Sequence, residues 1–462
     1  MPAKRVVIVG GGISGLAAAH RLLELGISKT QITLLEASGR LGGIIETRRR
    51  DGFLLERGPD SFISEKPEAV ALAKRLGIES RLIQTNEAQR RSFIVRNGRL
   101  RPVPEGFQLL APSRLWPFIS TDIFSLPGKL RMAADLLLPR KNLNGIDDES
   151  LASFVRRRLG REALERMAQP MVGGIYTADP ETLSLRATLP RFLDMERDHR
   201  SVILAMMRQG QKQGTSGARY SLFLSFDDGM EVLVDALAEV VPNVRLKTRI
   251  EELSHNSGTW RIKTDSGETF EADAVCLALP AYVAAALLRN VNEQLSTQLS
   301  AIKYASTATI NFAYRRAAIA HPLDGFGFVV PFIEKRSLIA CTFSSVKFAG
   351  RAPDDHVLLR AFAGGALQPE MFALDNIETR IETDLRELLG INEKPIFTET
   401  AKWERSMPQY EVGHLDRVQA IENELDRLPG LTLAGNSYRG AGIPDCIRSG
   451  EIAADKIIKS LS

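Results

Sequence analysis

Glycines 10, 12 and 15, in the run Gly10-Gly11-Gly12-Ile13-Ser14-Gly15, have the spacing of a phosphate-binding turn. The first permits a tight turn, the second lets the backbone approach a pyrophosphate, and the third allows close helix–sheet packing. A helix opening here presents free N–H groups and a positive dipole end to phosphates. Glu36, at the end of the next strand-like run, is placed with Ala37 to meet an adenosine ribose. Strand before, helix after and acid beyond favour a bound dinucleotide over a merely structural turn. A second glycine-rich turn follows, Ala37-Ser38-Gly39-Arg40-Leu41-Gly42-Gly43. Gly42 and Gly43 permit close backbone approach, and Arg40 is a candidate for a phosphate or ribose. A nicotinamide enzyme has no evident need of this extension, so FAD is expected in place of NAD. Near the other terminus, Gly440, Gly442, Ile443 and Pro444 lie between a strand and a helix. That helix start would set N–H groups beside an isoalloxazine and stabilise negative charge on its reduced N1–C2=O edge.

Regular elements must hold these turns in place. Val6-Val7-Ile8-Val9 is β-branched throughout, as expected of a strand buried on both faces of a parallel sheet. A helix over 16–25, stopped by Gly26, and a strand over 32–35 complete a βαβ unit. Short strands are expected over 44–47 and 53–55 around a charged turn at 48–52, then a helix over 66–76. Strands over 92–95 and 100–103 read as a hairpin turning at Asn97-Gly98. Residues 106–220 are mostly helical in character. Strand signals return over 244–247, 260–264, 269–272, 274–279 and within 306–365, and an amphipathic helix is expected over 376–389. A strand over 431–434, a glycine-rich loop and a helix over 445–459 repeat the opening theme.

Composition narrows the class. The 462 residues exceed what one core organises, and 44% hydrophobic with 25% charged residues is ordinary for a soluble globular chain. Lys plus Arg (60) barely exceeds Asp plus Glu (56), so nucleic acid is not an expected partner. Cys276, Cys341 and Cys446 stand far apart without a C-x-x-C pair, and the six histidines lack metal-ligand spacing. No disulfide framework and no metal are expected, and a reducing, cytoplasmic compartment fits. Neither a secretory h-region nor a spanning apolar run is evident.

Together the strand–GGGISG–helix–strand–Glu36 unit, Arg40 and Gly42-Gly43 resemble the flavin amine oxidase superfamily. Gly58-Pro59-Asp60-Ser61-Phe62, Gly173-Gly174-Ile175-Tyr176, Lys402-Trp403, Met407-Pro408-Gln409-Tyr410 and the stretch 435–447 narrow the resemblance to the porphyrinogen oxidases of haem synthesis. It covers essentially the whole chain. It implies an α/β fold: an FAD-binding Rossmann-like domain of the p-hydroxybenzoate hydroxylase-like kind, a mixed α+β substrate domain and a helical insertion. The expected division is 1–86 with 221–280 and 425–462 for FAD, 87–105 with 281–424 for substrate, and 106–220 for the helical part. The resemblance also assigns Ile44, Gly58, Pro59, Asp60, Ser61, Ile250, Trp403, Ile443 and Pro444 to a non-covalently bound FAD.

The implied chemistry is oxidation of the methylene bridges of a porphyrinogen by flavin, with electrons passed to O2. No side-chain acid/base dyad is expected, since the cofactor carries the hydride step. Arg91 and Lys66 are candidates for the propionates and Gly174 for the tetrapyrrole face, with solvated surface charge as the plainer reading of both cations. The ending Gly-Ile-Pro-Asp-Cys-Ile, with Asp60 where the mitochondrial type has Arg, is similar to the Gram-positive type and implies coproporphyrinogen III. Protoporphyrinogen IX is the alternative substrate. An amine oxidase, a carotenoid desaturase or a flavin-binding partner without turnover are the other readings. Cys446 lies where some amine oxidases attach flavin, but is read as a packed thiol, and His414 as structural. Trp116, Phe118 and nearby leucines, with Lys129, Arg131, Arg140 and Lys141, form a candidate surface for peripheral contact with the inner face of a membrane. A transient contact with the next haem-pathway enzyme is a further expectation. The plainer reading places those apolar residues along the substrate cavity.

Overall fold

The computed structural model describes residues 4–141, 148–212 and 222–461. Its centre is a five-stranded parallel sheet in the order Val244–Arg245, Ile32–Leu35, Val6–Val9, Ala274–Leu277, Leu431–Leu433. Val6 pairs with Ile32 on one side and Ala274 on the other, so Val6–Val9 is buried along its whole length. The uniform β-branched pattern has this cause: helices cover one face, the antiparallel strands Thr259–Thr264 and Thr269–Ala272 close the other, and no position alternates toward water.

The helix Ile13–Glu24 begins three residues before the expected 16–25, because extended Gly12 (φ −72°, ψ 175°) hands directly into it. The C-terminal helix Ile443–Leu461 crosses it where a Cβ on Gly450 would collide with the Ser14 carbonyl. That crossing brings the N-termini of two helices to one end of the sheet.

Several expected boundaries move. The arginines placed in a turn form the strand Thr47–Arg50, paired with Phe53–Glu56 around Asp51-Gly52. Both turn residues have left-handed φ (51° and 82°), the geometry of a two-residue hairpin, and the arginines lie on the exposed strand. Asn97-Gly98 turns the same way, at φ 50° and 69°. The strand Ile250–Asn256 had no sequence signal because acidic residues break its alternation; it pairs with Thr259–Thr264.

A seven-stranded sheet has the order Phe397–Pro408, Tyr304–Arg315, His356–Gly364, Ala340–Phe343, Gly327–Val329, Phe93–Arg96, Arg99–Pro102. Its pairings are antiparallel except Gly327–Val329 with Phe93–Arg96. The helix Ile377–Leu389 closes one face by burying Ile381 and Leu385 against Ile310, Phe312 and Leu359. The helices Ala281–Leu288, Glu293–Ser300 and His414–Leu425 pack in turn on one another and share a core with Val7, Val9 and Leu277 through Trp260, Ile262 and Ala272 of the antiparallel strands.

Within 106–220 the described residues are mainly helical around Phe154, Met167, Phe192 and Met206, with a short ribbon at Phe107–Gln108 and Ala111–Pro112. Arg158 is fully buried there, bonded to the equally buried Asp135 and to the carbonyls of Pro139 and Arg200. Phe118, expected to face outward with Trp116, is 5% exposed and packs on Phe124. The half-turn between positions 116 and 118 sends the two rings to opposite sides.

Candidate functional site

The site assembles at the end of the parallel sheet where the helices Ile13–Glu24 and Ile443–Leu461 begin. Gly10 (φ +105°) and Gly15 are glycines because a Cβ would collide with the carbonyls of Ala278 and Gly10 respectively. Gly12 differs: no heavy atom lies within 4 Å of where its Cβ would stand. The open space lies at a helix N-terminus with no side-chain cap and no acid in its first turn. An anionic pyrophosphate fits that cradle, with Ile13 and Ser14 supplying the first helical N–H groups. Glu36 receives Gly11 N–H on Oε2 and Ser38 N–H on Oε1, both at 2.7 Å, which fixes the carboxylate at the cradle's edge beside Ala37.

The second glycine turn is tied to the first by Gly42 N–H to Gly11 O at 2.8 Å. Left-handed Gly43 brings its Cβ position 3.3 Å from Gly12 Cα. Arg40 donates to the carbonyls of Leu41, Gly43 and Ile45, so its guanidinium holds this turn together. Ile44 is partly exposed beside it, and Gly58 is glycine because a Cβ would strike Ile44 O.

The chain entering the 58–61 segment is held by four side chains of the seven-stranded sheet. Asn311 Nδ2 donates to Glu56 O, Thr309 Oγ1 and Trp403 Nε1 both donate to Arg57 O, and Arg360 Nη2 donates to Gly58 O. Beyond Pro59, the Asp60 carboxylate pairs with Lys347 Nζ at 3.0 Å and accepts from the Ser61 hydroxyl. Burial opposes its ionisation, but Lys347 and then Arg360 hold it well below the usual carboxylate range. Burial pushes Glu56 up to about 7, against hydrogen bonds from Met230 N–H and the Thr47 hydroxyl. Sequence reasoning missed Asn311, Thr309, Lys347 and Arg360. They carry no local motif, and only strand register brings them to this segment.

At the C-terminal loop the N–H groups of Ala441, Gly442 and Ile443 have no partner among the described residues, and Ile443 and Pro444 open the long helix. Lys66 does not stand free: its Nζ lies 2.6 Å from Asp445 Oδ2, and Arg448 takes the other oxygen. Tyr176 belongs to the same rim, its phenol pushed up to about 12 by burial and then by Asp445. Gly174, two residues earlier, is exposed near Val329. Arg91 is paired with Asp324 at 2.7 Å beside the Phe93–Arg96 strand. Ile250 is reached from Glu36 through Thr248, whose N–H donates to Glu36 O at 2.9 Å. Cys446 is buried, with its thiol pushed up to about 12 by desolvation. Among the described residues, no three His, Cys, Asp or Glu side chains gather to hold a metal.

An open glycine cradle, a carboxylate fixed at its edge and a second helix N-terminus define a dinucleotide-binding oxidoreductase scaffold. The chain belongs to the flavin containing amine oxidoreductase family, whose model matches residues 13–458. It is 35% identical to the Bacillus subtilis (strain 168) coproporphyrinogen III oxidase, over 99% of this chain and 98% of the relative. It is 28% identical to the Arabidopsis thaliana protoporphyrinogen oxidase 2, over 99% and 94%. Among solved structures, an Exiguobacterium sp. 255-15 protein provisionally named protoporphyrinogen oxidase aligns with a TM-score of 0.88 at 34% identity. That alignment covers 100% of this chain and 99% of the other.

Proposed function

We propose that this chain binds FAD without a covalent link and oxidises a porphyrinogen, coproporphyrinogen III by preference, to the porphyrin in haem biosynthesis with O2 as acceptor. The observation that carries the reading is a two-ended flavin cradle in a chain alignable end to end with coproporphyrinogen III oxidases. The bound flavin supplies hydride acceptance from a carbon bridging two pyrroles and onward transfer to O2. Six electrons separate porphyrinogen from porphyrin, so three passes consume three O2 and release three H2O2.

The chain's own groups position and tune. Gly12 makes room for the pyrophosphate, Glu36 receives the ribose, and the N–H groups at 441–443 favour negative charge at the reduced ring. Lys66, Tyr176 and Gly174 form the substrate rim, with Arg91 as a separate cation for propionate. The residue ranges given above for the FAD, substrate and helical parts stay as the working division of the chain. Anaerobic flavin reduction by coproporphyrinogen III and protoporphyrinogen IX, side by side, is the test. Faster reduction by the second discards the substrate preference, and reduction by neither discards the class.

A second surface favours peripheral contact with the cytoplasmic face of a membrane. No helix among the described residues is long and apolar enough to cross one. Yet Trp116, Leu126, Leu130 and Leu137 are 66–81% exposed, close in sequence to Lys129, Arg131, Arg140 and Lys141. Co-sedimentation with anionic liposomes, lost in Trp116→Ser/Leu130→Ser, is the expected result. Equal supernatant fractions leave this surface for the next pathway enzyme.

A further inference from the structure

Two stacked rings hold the C-terminal loop from outside it. The Tyr410 hydroxyl donates to Asn436 O at 2.5 Å and accepts from Gly440 N–H at 2.9 Å. One oxygen thus ties both arms of the loop. Between them, His414 donates from Nε2 to Tyr438 O at 2.8 Å. The rings lie 4.0 Å apart and 11° from parallel, and both are buried. The tautomer follows from the partner, because a carbonyl oxygen accepts only.

The pair belongs to neither of the elements that flank the loop. Tyr410 follows the edge strand Phe397–Pro408, and its own carbonyl accepts Ser184 N–H from the helical part at 2.7 Å. His414 opens the helix His414–Leu425, which packs on the helix Glu293–Ser300. The residues after the tied stretch, Ala441, Gly442 and Ile443, carry N–H groups with no partner among the described residues. A loop fixed at 436, 438 and 440 leaves those donors little freedom to swing.

We propose that Tyr410 and His414 are positioning residues that aim the 441–443 donors at the flavin, and so favour its reduced, negatively charged form without touching it. Preorganised donors stabilise charge more than donors that must reorient. This rests on the FAD reading above.

The test measures flavin midpoint potential, FAD dissociation constant and thermal melting on purified holoenzymes. Tyr410→Phe keeps the stack and removes the hydroxyl. The expected result is retained FAD and a roughly tenfold weaker hold on reduced relative to oxidised flavin, about 30 mV lower potential for a two-electron couple. Flavin reduction at saturating porphyrinogen should slow with little change in KM. His414→Phe, losing the donor, should follow it, whereas His414→Gln, keeping one, should return toward wild type. If Tyr410→Phe does not fold, the two His414 variants decide. Unchanged potentials, with or without weaker FAD binding, overturn the proposal. A wild-type protein that binds no FAD overturns the cofactor reading itself.

Discussion

Trp403 Nε1 donates to Arg57 O at 2.8 Å, joining the edge strand of the seven-stranded sheet to the chain entering Gly58. Thr309 Oγ1 donates to the same oxygen at 2.6 Å, so both lone pairs are engaged. The 58–61 segment is thereby shaped by strands distant in sequence. The same edge strand leads to Tyr410, so one strand reaches both ends of the cradle.

Gly12→Val should fold and lose its flavin. The backbone at Gly12 is already in a region open to any residue, and the Cβ meets open space, so the side chain would fill the pyrophosphate's place. Gly15→Ala should instead fail to fold, because its Cβ meets the Gly10 carbonyl. Flavin absorbance per protein with circular dichroism separates the two cases; normal flavin in Gly12→Val refutes the phosphate site.

Glu56 should make the protein less stable as pH rises toward neutrality. Its folded pKa, about 7, lies above the ordinary carboxylate value of 4.5, so the native state binds the extra proton between those limits. Stability from this group is full below pH 4.5 and falls as pH rises toward 7, by roughly 3 kcal/mol. Urea midpoints at pH 5 and pH 8 should differ less in Glu56→Gln than in the wild type.

Acid precipitation should leave the pellet colourless and release all the flavin. The Cys446 thiol is buried and protonated well beyond neutral pH, which removes the thiolate that covalent attachment needs. Cys446→Ala should keep full flavin content, and yellow colour in the wild-type pellet counts against the reading.

Arg91→Ala should raise KM for coproporphyrinogen III more than for protoporphyrinogen IX, with flavin reduction at saturation less affected. Four propionates need more cationic partners than two, and one charge-assisted bond is worth roughly 1.5–3 kcal/mol. Lys66→Met should change both substrates, because it also leaves the buried Asp445 carboxylate with one cation fewer. Steady-state kinetics on the two substrates measures the difference.

The βαβ unit, the 10–15 cradle and Glu36 were legible from sequence because their determinants are local. Glycine at 10, 12 and 15, a β-branched run before and an acid after lie within one stretch of chain. The C-terminal loop was legible for the same reason. Lys66 is a candidate cation by sequence, but its partner Asp445 lies at the far end of the chain and becomes its neighbour only when the C-terminal helix packs in. Phe118 and Trp116 are alike in sequence, and only the packing of their short helix turned one inward. Asn311, Thr309, Arg360 and Trp403 reach one strand end through the register of the large sheet. Local turns and periodicities are properties of neighbouring residues and were fixed by the sequence itself. Which distant side chains meet depends on how strands pair and helices cross, and the tertiary structure decided that.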